Sequence, residues 1–181
     1  MTGPWLVAVD LQPVFADATS PWASAQFRRA YEGTRRLLPA FAGRTAYTRF
    51  VAPAEPTGAW AAYYGDWPFA LVPPSDPMYA LVPGLAGPAD PVVTATTFGK
   101  WGPALRAVLG GVEELVLTGV STDCCVLSTA LAAADAGVAV RVVADACAGA
   151  SEADHRRALE AMALYAPLVR VTSVAEVLAA L

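Results

Sequence analysis

Residue types capable of acid–base and nucleophilic chemistry fall at the ends of strand-like segments. Asp10 closes the apolar run "WLVAVD" (5–10), and Lys100 lies just past "PVVTAT" (91–96). Cys124 and Cys125 follow "ELVLTGV" (114–120), at the opening of a small-residue helix. A thiol ordinarily ionises near pH ~8.5 and attacks as the thiolate; a helix N-terminus or a nearby cation lowers that value. Lys100 could supply the cation. Asp10 could take the thiol proton and return it to a leaving amine. The first-turn amides, which lack helical partners, could hold an oxyanion. This reading of the residues does not choose between the two adjacent cysteines.

Other polar residues share those strand ends: Thr48 and Arg49, Ser121, Thr122 and Asp123, and Asp145. Asp123 reads as a helix N-cap rather than a catalyst. His155, the sole histidine, follows "SEAD" on a helix and reads as structural, so a histidine-dependent triad has no support.

The elements that must position these groups alternate along the chain. Strands are expected at 5–10, 44–50, 91–96, 114–120, 138–145 and 168–172. Helices are expected at 24–41, 103–111, from about 122 to 136, at 151–166 with Ser151 as cap, and at the C-terminus. Near-continuous apolar strands alternating with helices indicate an α/β fold, a parallel sheet covered on both faces, with residues 1–181 forming one domain. In such a sheet ligands bind outside the carboxyl ends of the strands, where the candidate residues gather.

Composition narrows the function classes. Of 181 residues, 56% are apolar and 15% charged, yet no apolar run approaches the ~18 residues of a membrane span. A net charge of −4 with scattered "RR" pairs disfavours a nucleic-acid surface. The start "MTGPWLVAVD" lacks the basic opening of a secretory signal, and three cysteines, two of them adjacent, suit a reduced, cytoplasmic protein. Neither G-x-G-x-x-G nor a P-loop is present, so no nucleotide cofactor is expected.

The segment 51–90 is irregular: nine of the fifteen prolines lie between 53 and 91, with Trp60, Tyr63, Tyr64, Trp67 and Phe69 clustered inside. Such aromatic content argues for order, as a pocket wall, a subunit contact or both. The expected substrate pocket comprises Phe15, Arg49, Trp60, Tyr63, Tyr64 and Trp67.

The blocks "LVAVDLQPVF", "TTFGKWGP" and "LTGVSTDCCVLSTALAAADAGVAVRVVADACAG" resemble the isochorismatase-like cysteine hydrolases, over about residues 5–177. That superfamily includes nicotinamidases, N-carbamoylsarcosine amidohydrolases and isochorismatases. The resemblance implies a single-domain, six-stranded parallel sheet in a Rossmann-like three-layer α/β/α arrangement. It implies an Asp–Lys–Cys triad of Asp10, Lys100 and Cys125, the last being the cysteine before valine in "T-D-x-C-V". Cys124 fills the variable position and is expected to be a small packing residue. The resemblance further implies a cis peptide at Val120–Ser121 that aims the Ser121 N–H, with that of Cys125, at an oxyanion. It also implies a homo-oligomer, dimer or tetramer.

One departure bears on metals. Nicotinamidases of the family carry an Asp-x-His motif after the second strand, where this chain has "TRFVAPAEPTGAW" without histidine. No metal is therefore expected, and ordinary nicotinamidase activity is disfavoured. The leading expectation is a metal-independent hydrolase that cleaves an amide or carbamoyl C–N bond of a small molecule through a thioester. The alternatives are a vinyl-ether hydrolase with Asp10 as acid and Cys125 expendable, and a catalytically silent small-molecule-binding scaffold.

Overall fold

The β-branched runs become the strands of one all-parallel sheet: β1 (Trp5–Val9), β2 (Thr45–Phe50), β3 (Val92–Ala95), β4 (Glu114–Val120), β5 (Ala139–Ala148) and β6 (Val169–Thr172). The structure, a computed structural model, describes residues 3–87 and 89–181. Strand order is β3-β2-β1-β4-β5-β6. The order reverses between β1 and β4, and at such a switch point the loops leave in opposite directions and open a crevice.

Both faces of the sheet are covered, because alternate strand residues point to opposite sides. Val7, Val9, Leu115, Leu117, Val140 and Val142 pack under α4 (Pro103–Leu109), α5 (Leu127–Asp135) and α6 (Glu152–Ala163). On the other face Leu6, Val116 and Val143 meet Leu37 of α2 (Phe27–Leu37) and Val174 and Val177 of α7 (Val174–Ala179). Ser151 caps α6 as expected, accepting from the Asp154 N–H. Among the described residues no helix is long and apolar enough to cross a membrane.

Several boundaries differ from expectation. The helix expected over 24–41 is α2 followed by a tighter 3-10 turn, Leu38–Phe41. Pro39 has no N–H to continue the ladder and closes it. β5 does not stop at Asp145: a register shift opposite Leu117/Gly119 lets it run on to Ala148. Asp145 therefore sits within the strand rather than at its end, and its carboxylate accepts the Val174 N–H at the start of α7. At the same bulge Gly119 has φ +110°, and a Cβ there would lie 2.0 Å from the Val9 carbonyl oxygen, so only glycine fits.

The segment 51–90 is built from short helices: α3 (Ala59–Asp66) and the 3-10 turns Pro68–Ala70 and Pro77–Tyr79. Its own aromatics bury it, with Tyr64 and Tyr79 in the core beside Phe15, Phe50 and Val51. Between β1 and α2 lies one more short helix, α1 (Pro13–Ala16). Gln12, just before it, is fully buried. Its side-chain amide donates to the Phe50 carbonyl (2.9 Å) and the Tyr79 carbonyl (2.8 Å) and accepts the Phe50 N–H (2.7 Å). That clasp pins the exits of β1 and β2 and the irregular segment to one another.

Candidate active site

Asp10 is the first residue past β1 and the only non-glycine with positive φ (+49°) among the described residues. That conformation is uncommon for side chains larger than glycine, though aspartate is among the residues that adopt it most often. It turns the carboxylate into the switch-point crevice, wholly buried. Oδ1 accepts from Thr48 Oγ1 at 2.6 Å, and Oδ2 lies 2.9 Å from Lys100 Nζ. Lys100 Nζ also donates to the Thr97 carbonyl at 2.7 Å and stands 5.0 Å from the Phe50 ring centroid. A charge pair this deep survives because each partner satisfies the other and the remaining contacts are hydrogen-bonded or aromatic.

The β4–α5 junction is a wide turn, Thr122–Val126, in which the Val126 N–H reaches back to the Ser121 carbonyl at 3.1 Å. The peptide Val120–Ser121 is cis, as the resemblance implied. Cys125 lies in this turn, close enough to Asp10 and Lys100 for both charges to act on its thiol, so the three expected catalytic side chains converge. Thr129, one helical turn on, donates to the Cys125 carbonyl (2.6 Å) and accepts the Lys100 N–H (2.9 Å), joining the lysine segment to the cysteine turn.

Lys100 is the one influence on the Cys125 thiol that acts toward ionisation, as expected of a nearby cation. Burial, and then the charge of Asp10, push the Cys125 thiol well above its ordinary value, and Lys100 opposes them only in part. The folded surroundings therefore favour the neutral thiol of Cys125 over the thiolate. Cys124 is likewise pushed up to about 11, by burial first and Asp123 second.

Above Cys125 opens a cavity of about 370 Å³, within the usual range for small-molecule sites. Of the six expected pocket residues, Phe15, Tyr63 and Trp67 line it. Arg49 does not: strand alternation sends it to the face opposite Thr48 and Phe50, where its Nε donates to Thr94 Oγ1 at 2.7 Å. Tyr64 and Trp60 also fall outside the wall. Tyr63 of α3 and Trp67, just past its end, both reach the cavity, whereas Tyr64 turns into the core. Trp60 packs on Tyr64 (6.0 Å between centroids) and on Phe98 (5.1 Å).

The wall also holds residues with no expected role there. Trp22 is the hub of the aromatic cluster, with Phe69, Phe50, Tyr63, Trp67 and Phe15 centroids 5.0–6.3 Å away. Phe50 and Phe98 complete the aromatic lining, and Cys124 and Asp123 line the cavity beside Cys125. Cys124 packs against the core as expected and also lines the cavity. Asp123 does not cap its own turn: its Oδ1 accepts the Ala150 N–H at 3.0 Å, from the loop after β5. Phe50 was available from the parity it shares with Thr48; Trp22, in an irregular loop, carries no periodic signal.

His155 lies behind the turn, its Nδ1 2.8 Å from Thr122 Oγ1, and burial holds its pKa below the usual histidine value. Ser121 Oγ meets Ser24 Oγ at 3.2 Å. Among the described residues no cluster of three or more His, Cys, Asp or Glu side chains is placed to hold a metal ion.

Residues 4–176 match the Isochorismatase domain family, and the chain belongs to that family. A stretch of 72 residues is 40% identical to isochorismatase domain-containing protein 2 of Xenopus laevis, covering 38% of this chain and 35% of that protein. The aligned part is thus about a third of that relative's length. Among solved structures, a cysteine hydrolase from Pseudomonas syringae pv. phaseolicola 1448A is similar with a TM-score of 0.86 at 23% identity, over 97% of this chain and 91% of that one. An isochorismatase-like hydrolase from Alkaliphilus metalliredigens gives 0.81 at 17% identity, over 99% of both chains. At these identities the likeness is one of fold.

Proposed function

We propose that this protein is a cysteine hydrolase that cleaves the C–N bond of a small amide or carbamoyl compound. The observation that carries the reading is the placement of the buried Cys125 thiol on a cavity wall, beside a carboxylate that Lys100 and Thr48 hold in place. The name of the P. syringae neighbour, a cysteine hydrolase, supports it.

In the proposed sequence the substrate carbonyl settles against Cys125. Sulfur attacks carbon as its proton passes to Asp10, so no free thiolate need accumulate. The former carbonyl oxygen becomes an oxyanion, for which the Ser121 and Cys125 N–H groups are the proposed donors. As the C–N bond breaks, Asp10 returns the proton to the departing nitrogen and leaves a thioester. Water then attacks the thioester, giving a proton to Asp10, and the acid leaves as the thiol is restored. Lys100 keeps Asp10 oriented and offsets its charge when it is a carboxylate.

The test is amine or ammonia release from a panel of small amides. Cys125→Ala should lower turnover by about a thousandfold or more, since loss of a nucleophile removes the whole covalent route, while circular dichroism stays unchanged. Substantial amine release by that variant would overturn the thioester route.

A further inference from the structure

We propose that the cavity selects substrates by charge: the part of the amide away from the reacting bond is apolar and carries no negative charge, and a positive charge directed at Asp123 strengthens binding. This inference rests on the hydrolase reading above and narrows its substrate class.

Three observations carry it. The first is the census of charge around the cavity. Asp123 is the only charged residue among the described residues that line it. Lys100, beside the Cys125 turn, has a fully buried side chain engaged by Asp10 and the Thr97 carbonyl. Arg49 is turned to the outer strand, and Arg29 is occupied by Glu152 and the Cys147 carbonyl. A substrate carboxylate entering here would lose its water and find no lining cation to pair with, only neutral donors such as the Trp22 indole N–H, which is unfavourable.

The second is the wall itself. Phe15, Trp22, Phe50, Tyr63, Trp67 and Phe98 supply most of it. Aromatic faces carry negative quadrupole charge, so they attract cations and repel anions. The third is the state of Asp123. Its Oδ1 is taken by the Ala150 N–H, but Oδ2 has only the weak Cys124 thiol contact at 3.8 Å. One carboxylate oxygen is therefore free to receive a substrate cation or N–H.

Three benzamides of closely similar outline separate the possibilities: 4-tert-butylbenzamide, its isosteric cation 4-(trimethylammonio)benzamide, and the anion 4-carboxybenzamide. Binding to Cys125→Ala protein is measured by tryptophan fluorescence and calorimetry at one fixed ionic strength. The expected order is cation tighter than neutral, and neutral at least tenfold tighter than anion. Asp123→Asn, which keeps an acceptor for the Ala150 N–H, should weaken the cation several-fold and leave the neutral compound unchanged.

Equal or tighter binding of the anion, or no binding by any of the three, would overturn the proposal. A cation no tighter than the neutral compound would overturn the part assigned to Asp123. Turnover by the unaltered protein is read separately. The expected binding order without amine release would keep the selection rule and remove the hydrolase reading.

Discussion

At the scale of single residues, the Asp10–Lys100 pair decides both stability and chemistry. Removing one partner of a buried pair leaves the other charge uncompensated, at a cost of about 3–5 kcal/mol. Asp10→Asn and Lys100→Met should each lower the urea midpoint accordingly. The double variant should recover much of that loss, because coupled sites are not additive, yet it should remain inactive. Additive losses in a double-mutant cycle would show that the 2.9 Å contact is not the stabilising term. The positions of Asp10 and Lys100 were legible in the sequence because strand ends converge in a doubly wound sheet. The protonation state of Cys125 was not. Burial and Asp10 raise the thiol pKa more than Lys100 lowers it, and burial is a property of the folded whole. Arg49 misled for a simpler reason: strand parity, available from Thr48 and Phe50, was not applied to it.

At the scale of elements, the site depends on a splice between two segments that never pair as strands. Thr129, on the buried side of α5, receives the Lys100 N–H and gives its own proton to the Cys125 carbonyl. Thr129→Val keeps shape and removes both bonds. Each such bond contributes about 1 kcal/mol net, so kcat should fall about tenfold with KM little changed, and Thr129→Ser should restore most of it. A rise in KM with kcat intact would assign Thr129 to substrate binding instead. The sequence placed α5 correctly but began it within the Thr122–Val126 turn, whose wide backbone ring no apolar period announces. In the segment 51–90 the aromatics signalled order, and the order takes the form of short helices too brief for periodicity to reveal. Trp22 was invisible for the same reason: its importance comes from neighbours far along the chain.

At the scale of the whole molecule, the sheet order places the crevice between β1 and β4, and the interior around it is set against alkali. Burial raises the Cys124 thiol to about 11 and the Cys147 thiol to about 12, and lifts Cys125 as well. Tyr47 and Tyr63 are raised to about 12. Each group is acidic and has a higher pKa folded than unfolded, so the unfolded chain loses its protons first as pH rises. The stabilisation is complete below the unfolded thiol value of about 8.5 and drains away above it. Tm should therefore hold steady near neutrality and fall progressively from about pH 9 to 12. Cys147→Ala, which removes a fully buried thiol, should shallow that slope; an unchanged slope would exclude Cys147 as a contributor.

The clasp made by Gln12 gives the sheet a further property. Asp10 meets Thr48, and Gln12 meets Phe50, at the same separation of 38 residues along the chain. The Gln12 amide both gives to and takes from the Phe50 backbone, as a peptide group of a neighbouring strand would. The main chain of β1 bends away at Asp10, while a side chain carries on its pairing for one more rung. A counterfeit peptide thus lets the backbone leave the ladder to present a carboxylate without leaving β2 an open edge.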